Sequence, residues 1–145
     1  MLKTGIMAPA IEAQDQKEIT HKLSDYLGKW VLLYFYPRDN TPGCAVEACS
    51  LRDNFPHFEK SEAVILGVST DSVASHEKFV NKFSLPFTLL SDKEKVIVTA
   101  YEAGGLFKRV SYLIDPMGKI AKVYERVKPA EHAAEVLKDI EALKL

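Results

Sequence analysis

Residues 30–49 read WVLLYFYPRDNTPGCAVEAC, a stretch that passes from an apolar run through a turn into a segment with helical spacing. Its first seven residues are almost wholly apolar and aromatic and are followed by Pro37, which is typical of a strand buried on both faces. From Cys44 onward, apolar residues recur at helical spacing, which predicts a helix as far as about Phe58. A buried strand that leads directly into a helix is the basic unit of an α/β fold.

The segments after this unit continue the alternation of strands and helices. They predict strands at 63–68 and 87–90, a helix after a cap at Asp71 or Ser72, a short helix at 96–101, and a hairpin of strands at 109–114 and 119–124. A final helix is predicted to begin at Pro129, because proline is favoured as a first helical residue. We therefore expect an α/β, thioredoxin-like fold with a mixed central β-sheet sandwiched by helices, in a single domain over residues 1–145.

Composition and charge narrow the classes of function. The chain has 145 residues, of which 47% are hydrophobic, enough for a single packed core. Its 19 basic and 20 acidic residues leave a net charge of -1, so no field of one sign exists to attract nucleic acid or an anionic membrane. No stretch approaches the roughly 20 apolar residues that cross a bilayer, and the first residues do not resemble a signal peptide. We expect a soluble, cytoplasmic protein that acts on small substrates and binds neither nucleic acid nor membrane.

The chain contains two cysteines, Cys44 and Cys49. In a reducing compartment we do not expect such a pair to form a structural disulfide. A free buried cysteine can also serve as a small apolar core residue. Cys44 is predicted to lie in the first turn of a helix that follows the end of a strand, where free backbone N–H groups stabilise a thiolate. Thr41 adds a hydroxyl three residues earlier, which can accept a proton or bind an oxygen atom. The pattern indicates a nucleophilic thiol and leaves a buried structural residue as the alternative.

The residues around Cys44 resemble the peroxiredoxin signature Pro-x-x-x-Thr-x-x-Cys, which Pro37, Thr41 and Cys44 match with every spacing intact. The longer pattern of Tyr-Pro, Thr-Pro-Gly-Cys, Glu-Ala-Cys and Leu-Arg-Asp is similar to the peroxiredoxin Q (PrxQ) subfamily, also called bacterioferritin comigratory proteins. The segment RVSYLID at 109–115 resembles the family strand that opens with an active-site arginine. Ala45 stands where the subfamily often has threonine, a change that removes no catalytic atom. The resemblance covers nearly the whole chain.

This resemblance implies a thiol peroxidase with a role in antioxidant defence. Cys44 would attack a hydroperoxide and become a sulfenic acid, which Cys49 would resolve as an intramolecular disulfide. Thr41, the Cys44 N–H and Arg109 would hold the peroxide, and Pro37 would shield the sulfur from water. A thioredoxin or similar dithiol reductant would reopen the disulfide, with no cofactor or metal ion. The subfamily also implies a monomer.

Three other classes of protein remain to be compared with a peroxidase. A dithiol oxidoreductase would share the fold, but its cysteines normally form Cys-x-x-Cys, whereas four residues separate this pair. A metal site would need grouped ligands, yet the histidines are isolated in the sequence, and we interpret them as surface or capping residues: His21, His57, His76 and His132. A non-catalytic binding protein could use the same fold.

Individual side chains near the motif also have alternative roles. Arg109 could be a surface ion-pair partner instead of a ligand of the peroxide. Arg52 is a weaker candidate for a second cation near the thiolate, and we do not include it in the catalytic set. We expect Glu47 to be a solvated or network-forming helix residue rather than an acid or base, and its role stays open.

The spacing of the cysteines carries a conformational prediction. Five residues along an α-helix separate two Cα atoms by roughly 8 to 9 Å and place them on different faces. A disulfide needs Cα atoms within about 7 Å, so a helix that contains both Cys44 and Cys49 must unwind before they can bond. We expect this helix to be intact when the thiols are reduced and locally unfolded when they are oxidised.

Overall fold

The computed structural model describes residues 1–104 and 109–144. Its strands are β1 (Glu12–Gln14), β2 (Thr20–Lys22), β3 (Trp30–Phe35), β4 (Ala63–Ser69), β5 (Thr88–Ser91), β6 (Val110–Ile114) and β7 (Ile120–Tyr124). Its α-helices are α1 (Pro42–Asp53), α2 (Phe55–Lys60), α3 (Val73–Phe83), α4 (Val96–Ala100) and α5 (His132–Leu143), and a 3-10 turn covers Leu23–Tyr26. Within the described ranges no helix is long and apolar enough to cross a membrane.

The strands form one mixed sheet in the order β2-β1-β5-β4-β3-β6-β7. The three strands β3, β4 and β5 run parallel, whereas β6 pairs antiparallel with both β3 and β7. The run at 30–36 thus becomes an inner strand, which explains why all of its residues are buried. The predicted α/β architecture with a mixed sheet is confirmed.

The sheet separates two apolar cores because successive side chains of a strand point to opposite faces. Leu32 and Tyr34 of β3 pack with α1, α3 and α5 on one face. Leu33 and Phe35 pack on the other face with α4. Helices therefore cover both faces, as the sequence predicts, and Cys44 lies within the first core.

The predicted helix over 44–58 is wrong in one respect, because the structure contains two helices there. The first ends at Asp53, and Asn54 leaves the helical conformation with φ of -99° and ψ of 2°. Pro56 then lies in the first turn of α2. Backbone N–H groups in this turn have no acceptor within the helix, so the N–H that proline lacks is not needed there. Inside a continuous helix the same proline would clash with the preceding turn, so the chain begins a new helix instead.

Two further differences concern the ends of the chain. The hairpin of β1 and β2 is not apparent from the sequence, because its strands have three residues each and show too little alternation to be recognised. The C-terminal helix begins at His132 and not at Pro129, since a turn closed by the His132 N–H and the Lys128 carbonyl comes first. Neither difference alters β3 or the helix α1, which carries both cysteines.

Candidate active site

Cys44 lies in the first turn of α1, just after the loop that leaves the end of β3. Thr41 precedes the helix with an extended backbone, and Pro42, Gly43 and Cys44 are the first three helical residues. The first helical hydrogen bond runs from the Ala45 N–H to the Thr41 carbonyl, at 2.8 Å. In the described part of the chain the N–H groups of Gly43 and Cys44 have no acceptor, as expected for the start of a helix. They supply two donors and a partial positive charge beside the sulfur.

Arg109 contacts the sulfur of Cys44 from the neighbouring strand. Its Nη1 donates a hydrogen bond to Cys44 Sγ at 3.0 Å, and the thiol is only 2% exposed. The sheet register explains this meeting, because Val110 at the start of β6 pairs with Phe35 at the end of β3. Arg109 directly precedes Val110 and therefore lies beside the loop that leads to Cys44. The guanidinium thus adds a fixed positive charge next to the helix N-terminus.

Gly43 leaves the space that this guanidinium occupies. A Cβ at position 43 would overlap Nη2 of Arg109 and would lie 3.0 Å from its Cζ. The glycine in the Thr-Pro-Gly-Cys motif is therefore required for a close approach between a backbone and a side chain, and not for an unusual φ angle.

Glu47 completes the cluster from the interior of α1. It is fully buried, and its Oε1 lies 3.7 Å from Nη1 of Arg109, a distance that is too long for a hydrogen bond. Neither carboxyl oxygen has a hydrogen-bond partner in the described residues. Burial raises the pKa of Glu47 to about 8, and the nearby charge of Arg109 opposes that rise. Glu47 is therefore a buried neighbour of Arg109 and not a solvated residue.

Thr41 and Pro37 lie at the mouth of the site. Both line a cavity of about 950 Å³ together with Gly43 and Arg109. The Thr41 hydroxyl donates to the Arg38 carbonyl at 3.2 Å, so its lone pairs stay available to a bound molecule. The structure thus brings four of the five predicted site residues, Pro37, Thr41, Cys44 and Arg109, to one region.

The fifth predicted residue, Cys49, is half-buried further along α1. Both cysteines are free thiols, and the helix is continuous from Cys44 through Cys49. This confirms the expected helical form of the reduced state. Arg52, the weaker cation candidate, donates instead to Asp53 at 3.0 Å and to the Phe83 carbonyl at 2.7 Å. The contact with Phe83 links α1 to α3 and gives Arg52 a structural role.

The interpretation of the histidines as surface or capping residues is wrong for two of them. His76 and His132 are fully buried, with exposures of 0% and 1%. His132 Nε2 lies 2.8 Å from the Ser111 hydroxyl, and His76 contacts Asp39 at 2.7 Å. Their partners come from distant parts of the chain, so no local sequence pattern reveals the burial.

The chain is similar in sequence and in structure to known proteins of one family. Residues 4–123 match the AhpC/TSA family. The protein named Peroxiredoxin Bcp from Bacillus subtilis is 42% identical over 96% of this chain and 95% of its own length. A cysteine-to-serine variant of PrxQ from Xylella fastidiosa superimposes with a TM-score of 0.94 at 32% identity, over 100% of this chain and 99% of that one.

A third similar protein is the bacterioferritin comigratory protein of Xanthomonas campestris, whose structures with a trapped intermediate and ligands concern alkyl peroxide reduction. It superimposes with a TM-score of 0.91 at 30% identity, over 99% of this chain and 100% of that one. These superpositions confirm the thioredoxin-like fold that the sequence predicts.

Proposed function

This chain belongs to the AhpC/TSA family and is a peroxiredoxin of the Bcp and PrxQ type, and on that premise we propose that Cys44 reduces hydroperoxides and Cys49 resolves the product. As a peroxiredoxin it is a thiol-dependent peroxidase. The observation that carries the assignment of Cys44 is the 3.0 Å hydrogen bond from Arg109 to its sulfur. Cys49 makes no comparable contact in the described residues, so the two thiols are chemically distinct.

In the first step the Cys44 thiolate attacks one oxygen of the hydroperoxide. The O–O bond breaks, the sulfur becomes a sulfenic acid, and the second oxygen leaves with a proton as water or an alcohol. Negative charge moves from sulfur to oxygen during this step. The guanidinium of Arg109 and the free N–H groups of Gly43 and Cys44 are suited to stabilise that charge, since they are fixed before the peroxide arrives.

Thr41 and Pro37 are assigned supporting roles in the same step. The Thr41 hydroxyl lies in the cavity that Arg109 also lines, where it can bind the peroxide oxygen. Pro37 contributes an apolar ring and no N–H group, so it excludes water without competing for the substrate. The cavity of about 950 Å³ has room for organic hydroperoxides as well as hydrogen peroxide.

In the second step the Cys49 thiol condenses with the sulfenic acid. A disulfide forms between the two sulfur atoms, and water is released. The intact α1 keeps the cysteines on different faces of the helix, so part of this helix must unwind first. A thioredoxin or a similar dithiol would then reduce the disulfide and restore both thiols.

The setting of the reaction is also part of the proposal. We expect one domain over residues 1–145, acting as a monomer in the cytoplasm in antioxidant defence. No cofactor or metal is needed, because the reducing electrons come from the thiols themselves. The net charge of -1 supports small substrates and a protein reductant over nucleic acid or membrane partners.

Titration with peroxide tests this function directly. Reduced protein treated with one equivalent of hydrogen peroxide should lose both free thiols and a mass equal to two hydrogens. Cys49→Ser should gain one oxygen on Cys44 and stop, while Cys44→Ser should not consume peroxide. Two thiols that remain free after treatment, or equal behaviour of the two variants, would contradict the proposal.

A further inference from the structure

A buried carboxylate holds the loop between β3 and α1, residues 36–41. The Asp39 side chain is buried, and its Oδ1 accepts a hydrogen bond from the Tyr36 hydroxyl at 2.6 Å. Its Oδ2 accepts from the Ser75 hydroxyl at 2.8 Å and contacts Nδ1 of His76 at 2.7 Å. One carboxylate therefore closes the loop on itself and links it to the first turn of α3.

His76 extends this link to the central sheet. Its ring is fully buried, and its Nε2 lies 3.0 Å from the carbonyl oxygen of Leu90 in β5. Because a carbonyl oxygen can only accept, Nε2 is the donor in this bond, and Nδ1 faces the Asp39 carboxylate. The ring cannot turn without leaving a buried polar group unpaired, which is costly. Asp39 is thus attached to a rigid part of the fold.

The same cluster contains the elements of a metal site, but its ligand atoms are already used. Asp39, Asp71 and His76 place one ligand atom each within 4.8 Å of one another. Asp71 Oδ2 accepts the Asp39 N–H at 2.7 Å and the Ser69 hydroxyl at 2.8 Å. Hydrogen-bond donors thus occupy the atoms that would bind an ion, which favours a structural network over a metal centre.

The segment from Asp39 to Cys44 transmits this anchoring to the reactive thiol. Asn40 has a left-handed backbone with φ of 58°, and its side chain accepts a hydrogen bond from Lys82 at 2.9 Å. Thr41 follows directly and Gly43 two residues later, and they carry the hydroxyl and an N–H group of the site. A shift of Asp39 would therefore displace the groups that surround the sulfur, and small displacements of such groups are costly for reaction rates.

We propose that Asp39 and His76 are positioning residues that hold the loop and the first turn of α1 in the peroxide-reactive form, and so set the competition between peroxide attack and disulfide closure. Peroxide attack requires α1 to be wound at Cys44. Disulfide closure joins the Cys44 sulfenic acid to the Cys49 thiol with loss of water, and it requires α1 to be unwound. The pair favours the first step over the second. This inference rests on the proposed roles of both cysteines.

The sulfenic acid has a second fate that reports on the same balance. While α1 is wound, another hydroperoxide can oxidise the sulfenic acid to a sulfinic acid and leave as water or an alcohol. Faster unwinding gives Cys49 access sooner and reduces this loss. The fraction of sulfinic acid formed per turnover therefore measures how long the wound form persists after the first step.

The test compares His76→Leu with His132→Leu. Both histidines are fully buried and hydrogen-bonded, but His132 contacts Ser111 and Glu135 and has no contact with the loop before Cys44 among the described residues. In His76→Leu we expect peroxide attack about tenfold slower, the factor that loss of one charged hydrogen bond represents. Disulfide closure should be faster and sulfinic acid less abundant. His132→Leu should lose stability and keep the ratio of the two rates.

A milder variant protects the test against misfolding. Asp39→Asn keeps the shape of the side chain and loses its charge. Like His76→Leu, it should slow peroxide attack and speed up disulfide closure, but by a smaller factor. Both rates follow from rapid mixing with hydrogen peroxide, with mass analysis of the trapped species. If peroxide attack and disulfide closure change in the same direction, or if their ratio is unchanged in both His76→Leu and Asp39→Asn, the inference is overturned. Failure of the proposed function is distinguishable, because wild-type protein would then not react through Cys44 at all.

Discussion

Replacing Gly43 with alanine tests whether the contact between Arg109 and Cys44 controls reactivity. The new Cβ would overlap Nη2 of Arg109 and would lie 3.0 Å from Cζ and 3.4 Å from Nε. The overlap falls on the end of a flexible side chain, so the guanidinium can move aside without disturbing the backbone. We therefore expect Gly43→Ala to keep its fold and lose the 3.0 Å hydrogen bond to the sulfur.

The size of the effect follows from the type of bond that is lost. Hydrogen bonds to charged groups contribute about 1.5 to 3 kcal/mol, which corresponds to a factor of about 10 to 150 in rate. This range applies if the bond acts fully in the transition state. The second-order rate constant of reduced protein with hydrogen peroxide should fall within it, while the thermal unfolding midpoint changes little.

Gly104→Ala provides the matched control. Gly104 lines the same cavity, and among the residues that the structure describes a Cβ there would meet only Val98 at 3.5 Å, an ordinary contact. This variant should react with peroxide at the wild-type rate. Equal rate constants for Gly43→Ala and Gly104→Ala would refute the argument that the position of the guanidinium determines the reactivity of Cys44.

Three further predictions concern the same region. Arg109→Lys keeps the charge but loses the planar group, so peroxide attack should slow by about tenfold or more with an unchanged circular dichroism spectrum; a wild-type rate would contradict this role. Burial raises the pKa of Glu47 from 4.5 to about 8. Between these two pH values the native state keeps a proton that the unfolded state has released, so the free energy of unfolding should fall as the pH rises from 4.5 to about 8. The free energy of unfolding should fall by at most about 1.4 kcal/mol per pH unit, and urea unfolding of Glu47→Gln should not show this fall. If the free energies of variant and wild type depend on pH in the same way, Glu47 does not hold the proton. Hydrogen exchange should find the amides of 45–51 protected in the reduced protein and fast after oxidation, whereas equal protection would point to a resolving thiol outside the chain.

Much of the fold could be predicted because its inner strands are long and apolar. The runs that became β3 and β4 are buried along nearly their whole length, and such runs are visible without knowledge of their neighbours. The hairpin of β1 and β2 was not predicted, since its residues are half exposed and its pairing depends on contact with β5. The helix break at Asn54 was also missed, although Pro56 was the available signal.

The candidate site was only partly predictable for a similar reason. Cys44 and Thr41 belong to one contiguous motif, and Arg109 could be added only through the family resemblance. Burial of Glu47 could have been inferred, because it lies three residues after Cys44 and shares the buried face of α1. His76 had no such signal, since Asp39 lies 37 residues before it in the chain.

The contact between Arg109 and Cys44 has a consequence for newly made protein. The two residues are 65 positions apart, and they meet only after β6 has paired with β3. Pairing between distant strands is a late and slow event when a chain acquires its structure. Until then Cys44 lacks the guanidinium that contacts its sulfur in the folded protein. Incomplete chains therefore lack the arranged site, and we expect rapid reaction with peroxide at Cys44 only once the sheet is assembled.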